Sequence, residues 1–315
     1  MKNKRYQLKP ALIMCAVMAA LIIVIFVMAG NINRNVAKNM KGRLLYDEVS
    51  ADGKSAVLLY DFTSGESAEI SAEAGFDDAF GGVFAGENKA AFIARDGKQS
   101  GIYIYDFAKK QTDAVIVSED ADYLDFDYCA EKNCFACLCR NGGSWRIEEI
   151  LADGGKASGS DKDNGSGEAL FSSENEIYAL KYSETGDAVY FVHANGNGGG
   201  ILKSVKGLKL TTLYVSEKTA LVGLEAADNT LFVCEKGEKG RKIAQYNEKR
   251  GSLAILKFNS DDYECAAVSA VSSTQFIVSA DINGSFEIYV CNGSNIVRAE
   301  KINSDNDMIV SDYIP

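Results

Sequence analysis

Acidic residues follow serine at six similar places in the chain. These are Ser71-Ala72-Glu73, Ser118-Glu119-Asp120, Ser173-Glu174, Ser216-Glu217, Ser260-Asp261-Asp262 and Ser304-Asp305. Ser and Asp side chains bond to their own backbone and favour turns, so turn chemistry alone can account for the pattern. The functional reading is a ring of carboxylates gathered on one face, open to a basic protein partner or to cations. Such a face would speed association and would weaken with salt. The densest run, residues 119–127 (EDADYLDFD), adds Asp122 and offers oxygen ligands of the kind Ca²⁺ takes. Against a calcium site, Asp125 and Asp127 alternate with Leu124 and Phe126, as on a strand with one wet side. The candidate binding residues are thus Glu73, Glu119, Asp120, Asp122, Glu174, Glu217, Asp261, Asp262 and Asp305.

Eight cysteines are the second group, Cys15 and seven more from Cys129 onward. Cys134, Cys137 and Cys139 share one strand-like run (CFACLC). Cys137 and Cys139 point to one side of it and Cys134 to the other, which does not assemble the four converging thiolates of a zinc site. Cys129 and Cys134 flank the turn 130–133 and read either as a cross-strand disulfide or as small buried apolar residues. An odd number of thiols beyond residue 128 fits a reducing habitat, or a domain that faces the cytoplasm.

The one histidine, His193, ends a strand-like run, and no G-x-S-x-G pattern accompanies it. A nucleophilic triad has no support, and the chain is expected not to be an enzyme. Gly196 and Gly198–Gly200 open a strand rather than a helix, so no phosphate-cradling loop is expected, and no cofactor.

The elements that must position these residues begin with charge. The chain has 315 residues with 33 basic and 44 acidic side chains, a formal charge of −11. That balance excludes the basic footprint of a nucleic-acid binder. Eight of the basic residues and none of the acidic ones lie in residues 1–43. Residues 11–30 (ALIMCAVMAALIIVIFVMAG) carry no charge and have the length to cross ~30 Å of hydrocarbon. Lys2, Lys4, Arg5 and Lys9 precede them, as in an uncleaved signal anchor; a cleavable signal is the rival reading. The expected organisation is a basic cytoplasmic tail (1–10), a transmembrane helix in contact with lipid (11–30), a basic juxtamembrane linker (31–43) and a domain (44–315) outside the cytoplasm.

The domain repeats. Val57, Ile102, Ile147, Ile201, Ile243 and Ile288 fall at intervals of 45, 45, 54, 42 and 45 residues. The long interval contains the Gly- and Ser-rich insert 154–167. Each unit reads as four short strands separated by Gly, Asn and Asp turns, the grammar of an antiparallel propeller blade. The first unit has only three strands, 44–49, 56–60 and 68–70, and the run 308–313 (MIVSDY) supplies the missing inner one. Pairing the two ends of the chain removes an exposed sheet edge and closes six blades.

The turns Ser50-Ala51-Asp52-Gly53-Lys54 before AVLLYDF and Arg95-Asp96-Gly97-Lys98 before GIYIYDF carry a resemblance. So do Ser183-Glu184-Thr185-Gly186-Asp187 before AVYFV and Asp281-Ile282-Asn283-Gly284-Ser285 before FEIYV. Over residues 44–315 the chain resembles the TolB-like six-bladed β-propeller family. The resemblance implies protein binding in the cell envelope, although similar repeats also accompany peptidase domains.

The expectation is therefore an all-β, six-bladed β-propeller closed by its N- and C-terminal strands in one blade and preceded by one transmembrane helix. It would act as a single-pass, extracytoplasmic protein-binding scaffold. Two alternatives stand beside it. One is a lactonase-like hydrolase with an axial divalent ion, which needs acids on the innermost strands; the runs 80–84, 221–225 and 266–271 offer only Glu225. The other is a scaffold facing the cytoplasm.

Overall fold

A computed structural model describes Met18 and residues 40–154, 169–238, 240–258, 263–282, 284–293, 295–299 and 302–315. The expected transmembrane segment, apart from Met18, and nearly all of the insert lie outside the described residues. Among those described, no helix is long and apolar enough to cross a membrane.

Alternating apolar and polar runs broken by Gly and Asn turns give strands in the following order. The first group is β1 (Arg43–Val49), β2 (Ser55–Asp61) and β3 (Ser67–Glu69), followed by the short helix α1 (Ile70–Ala74). Then come β4 (Ala79–Phe84), β5 (Lys89–Asp96), β6 (Gln99–Asp106) and β7 (Gln111–Ser118). Next are β8 (Ala121–Cys129), β9 (Cys134–Asn141), β10 (Ser144–Leu151) and β11 (Ala169–Ser173). They are followed by β12 (Ile177–Tyr182), β13 (Val189–Ala194), β14 (Gly200–Lys206) and β15 (Lys209–Ser216). The fifth group is β16 (Ala220–Ala227), β17 (Thr230–Gly237), β18 (Gly240–Asn247) and β19 (Ser252–Ile255). The last strands are β20 (Glu264–Ala270), β21 (Gln275–Asp281), β22 (Phe286–Asn292), β23 (Asn295–Arg298) and β24 (Asp307–Ile314).

These strands form six antiparallel four-stranded sheets, the six blades of a propeller. Blades 2 to 6 take consecutive strands from β4 onward, and blade 1 has the order β24-β1-β2-β3. The terminal strand is therefore the innermost strand of the first blade. β24 pairs with β1 from Arg43↔Ile314 to Val49↔Asp307. The repeating anchors fall on the third strand of each blade, and Val57, Ile102, Ile147 and Ile243 have no exposed surface.

Each innermost strand is irregular at one place. The register shifts between Phe80 and Val83, Tyr123 and Asp125, Ile177 and Ala179, Leu221 and Gly223, and Cys265 and Ala267. In blade 1 the shift lies between Leu45 and Tyr46 of β1, opposite Ser311. Bulges re-aim side chains and increase local twist. Here they recur in all six blades, and Val83, Asp125, Ala179, Gly223 and Ala267, which follow five of them, line one cavity. In blade 2 the irregularity falls on Gly81, whose φ of +68° an L side chain would resist. Apolar clusters fill the spaces between blades. One gathers Phe232, Ile243, Tyr263, Phe276 and Tyr289 between blades 5 and 6.

Candidate functional site

The blade topology fixes which loops share an end. Connections from the fourth strand of one blade to the first of the next lie at one end, together with the hairpins between second and third strands. The other hairpins, the entry to β1 and the end of β24 lie at the opposite end.

Glu119, Asp120, Glu174, Glu217 and Asp305 all occupy blade-to-blade connections and are exposed. Asp122 is the second residue of β8, at the same end, but Arg95 (3.2 Å) and Arg140 (3.4 Å) both pair with it. Asp261 and Asp262 lie outside the described residues. Glu73 is a correction. Sequence Ile70–Ala74 folds as α1 instead of extending the outer strand, since Ala and Glu favour helix and Gly75, at φ +91°, ends it. The Glu73 carboxylate then turns toward the opposite end, where it accepts the Tyr105 hydroxyl (2.5 Å) and meets Lys110 (3.8 Å). The acidic ring is therefore shorter and more neutralised than the serine–acid pattern suggests.

Of the two readings of Cys129 and Cys134, the small buried residue is the one seen and the disulfide is not. The two residues stand opposite each other in register, yet both thiols are free. Each has found another partner: Cys129 Sγ lies 3.8 Å from Glu131 Oε2, and Cys134 Sγ 3.2 Å from the Tyr182 hydroxyl.

The most concentrated chemistry sits on the axis, where the sequence pointed only to Glu225. Five carboxylates reach it: Asp47 from β1, Asp125 and Asp127 from β8, Glu225 from β16 and Asp312 from β24. Lys181 of β12 joins them. Its ammonium lies 3.2 Å from Asp127 and 3.4 Å from Glu225, and its side chain is 16% exposed. The group stands between two cavities. One, of about 250 Å³, opens toward the blade-to-blade connections. The other, of about 330 Å³, opens toward the opposite end. Lys181 and Glu225 border both.

Burial governs the protonation of this group. Loss of water pushes the Asp47 carboxyl up to about 7, against the opposing pull of hydrogen bonds from the Gly81 and Gly82 amides and Ser311. Asp125 and Glu225 are each raised to about 7 by burial, with Lys181 pulling the other way. Asp312 is raised for the same reason. Burial would lower the Lys181 ammonium, but Asp127, Glu225 and Asp312 outweigh it and hold it well above the usual lysine range.

Most of these groups also tie one blade to the next. Asp47 accepts the Gly81 amide (2.9 Å) and Asp312 the Phe84 amide (2.8 Å), both across the seam between blades 1 and 2. Asp125 and Asp127 accept the amides of Leu180 (2.9 Å) and Tyr182 (2.8 Å) between blades 3 and 4. Lys181 and Glu225 bridge blades 4 and 5. Two serines do the same work: Ser100 accepts the Tyr123 amide (3.0 Å) and Ser279 the Val310 amide (2.5 Å). A buried amide left unpaired costs about 1–3 kcal/mol, so these contacts fix the spacing of the blades. Among the described residues, no three His, Cys, Asp or Glu side chains converge to hold a metal ion.

His193 is buried against Phe171 and Phe191, with Nδ1 2.8 Å from the Ala194 carbonyl oxygen. Burial, helped by the charge of Lys203, lowers its pKa. The unfolded chain therefore takes up a proton near pH ~6.5 while the folded chain resists, and stability falls as pH drops through that value. Replacing His193 with Phe is expected to remove this loss. The melting temperature of the variant relative to wild type should rise between pH 7.5 and pH 5. A constant difference across that range would show that His193 does not titrate in this way.

No protein-family model and no curated protein matches the sequence. Solved structures do. TolB from Acinetobacter baumannii superposes with a TM-score of 0.66 at 9% identity, over 86% of this chain and 66% of that one. Kuenenia stuttgartiensis hydrazine synthase gives 0.70 at 11% identity, over 87% and 47%. A puromycin-hydrolyzing peptidase of Mycobacterium tuberculosis gives 0.55 at 14% identity, over 84% and 48%. The chain thus spans about two thirds of the length of the TolB chain and about half of the other two. Likeness at this level of identity speaks for architecture alone, and the architecture of residues 41–315 is that of a TolB-like six-bladed β-propeller.

Proposed function

We propose that this propeller is a non-catalytic binding module, which recognises a protein partner through the loops at its blade-to-blade end. The observation that carries this reading is the use made of the axial acids. Four of them are spent on amides of the neighbouring blade and the fifth on Lys181. The axis then serves as closure, and the loops are the surface left for recognition. Glu119, Asp120, Glu174, Glu217 and Asp305 would supply a salt-sensitive attraction for a basic partner. The apolar stretch 11–30 would hold the module at a membrane with the propeller outside the cytoplasm, raising its effective concentration near a partner there.

The test is affinity capture with the full chain in detergent, comparing wild type with a variant in which Glu119, Asp120, Glu174 and Glu217 are changed to Gln or Asn. The reading expects a partner held by wild type and released by the variant or by raised salt, with the melting temperature unchanged. Equal capture by both would remove the acidic face from recognition.

A lactonase-like hydrolase remains the second reading, because five carboxylates do reach the axis. Elemental analysis of the purified chain discriminates: a stoichiometric divalent ion, lost on replacing Asp125 and Glu225 with their amides, would favour the hydrolase. Protease protection in sealed vesicles separates a domain outside the cytoplasm from one facing it.

A further inference from the structure

One blade seam is built differently near the axis. Between blades 5 and 6, Cys234 of β17 and Cys265 of β20 approach with their sulfur atoms 3.8 Å apart, and neither has exposed surface. The two residues belong to different sheets and lie 31 positions apart in the chain. Both thiols are free. A disulfide holds its sulfurs ~2.05 Å apart, so the pair needs less than ~2 Å of approach to bond. Cys291 lies in the same apolar cluster, while Cys129 and Cys134 sit in another with partners of their own.

We propose that Cys234 and Cys265 are a disulfide site which closes while the chain folds and is sealed from exchange once the blades have packed. The oxidant is a small-molecule disulfide such as glutathione disulfide. One protein thiolate attacks it, forming a mixed disulfide and releasing one small thiol. The second protein thiolate attacks the protein sulfur of that mixed disulfide and expels the other small thiol. The protein loses two electrons and two protons, and the reagent gains them by cleavage of its own sulfur–sulfur bond.

Timing follows from the surroundings. In the unfolded chain a thiol ionises near pH ~8.5 and a useful fraction is thiolate. In the folded chain, burial and the neighbouring Cys234 thiol drive the Cys265 thiol well above its ordinary range. The Cys265 thiol is thereby disarmed as a nucleophile, and neither sulfur has exposed surface, with Cys234 bordering the axial cavity from behind the lining of the innermost strands. The pair therefore keeps a record of the redox conditions under which the chain folded, independently of which partner the loops recognise.

The experiment uses the full chain in mild detergent. It is reduced and unfolded in urea, then refolded with glutathione disulfide and digested for mass spectrometry. The expected result is a linked peptide pair containing Cys234 and Cys265, two hydrogens lighter than the reduced peptides, and retained in Cys291→Ala. The folded, reduced chain given the same reagent for the same time should yield at least about tenfold less of it. The linked form should melt on the order of 5 °C above the reduced form. The proposal falls if refolding yields no Cys234–Cys265 link, if Cys291 or Cys129 with Cys134 takes its place, or if the folded chain forms the link equally fast.

Discussion

Removing residues 304–315 is expected to abolish the cooperative melting of the propeller, leaving a chain that opens at low denaturant. The deleted segment contains β24, which pairs with β1 along its whole length and buries Met308 and Val310. It also carries Asp312, which holds the Phe84 amide, and Ser311, which donates to Asp47 (3.0 Å). Ser304 and Asn306 donate to Glu48 as well. Loss of the two apolar side chains alone removes about 3–6 kcal/mol, against a total stability of about 5–15 kcal/mol for a typical domain. The ring would be left with one open seam, an unpaired edge on β1 and no axial strand in blade 1. Circular dichroism with urea titration measures this. A truncated chain that unfolds at the same midpoint as the intact one would mean that β24 does not close the ring.

The second large effect is expected at Lys181. Replacing it with Met keeps the length of the side chain and removes the cation that, among the described residues, pairs with the axial carboxylates Asp127 and Glu225. Breaking a buried pair by deleting one partner costs about 3–5 kcal/mol, because the remaining charge is left uncompensated. The penalty should depend on pH with a definite sign. Asp47, Asp125 and Glu225 have folded pKa values raised to about 7, well above those of the unfolded chain. Between those values the folded state holds more protons than the unfolded state, so stability is highest at the acid end and declines as pH rises through about 7. These values already include the pull of Lys181 on Asp125 and Glu225, so wild type should show this trend. The Lys181→Met variant should show it strongly, folding nearly normally at pH 5 and poorly at pH 8. Asp125→Asn placed on top of Lys181→Met should flatten the curve again. A variant equally stable at both pH values would show that the axial acids do not share the charge in this way.

The architecture was legible because it rests on local chemistry repeated six times. Turns such as Ser50-Ala51-Asp52-Gly53-Lys54 announce themselves by residue type, and the third-strand anchors from Val57 to Ile288 hold their interval apart from one insert. Even the split first blade could be read, since three strands at one end and one at the other leave a single way to close the ring. The axial group was harder to see. Asp125 and Asp127 alternate with apolar residues, which ordinarily marks a solvated face. In an innermost strand that face looks instead onto the axis, where Asp125 and Asp127 are buried from bulk water. Asp312 lies in the C-terminal strand and Lys181 in an otherwise unremarked one. A signal was present all the same: Asp127 and Lys181 precede Ile147 and Ile201 by the same interval. Aligning the units on their anchors places both charges at one position of the blade. Glu73 was misplaced for the opposite reason. Its serine–acid pattern matched the other junctions, but the helical preference of the residues around it overrode the pattern.

Blade 1 has a mechanical consequence. The chain enters the domain through β1, which is not an edge: β24 lies hydrogen-bonded along one side of it and β2 along the other. Tension applied through the N-terminal segment, against a load held at the far end of the ring, would therefore pull β1 lengthwise between two flanking strands. Both rows of bonds would have to slide together, in shear, before the strand could leave. A tether joined to the outermost β3 would open its bonds one after another, like a zipper. The way the ring is closed thus also places the pulling point at the strand best able to resist it.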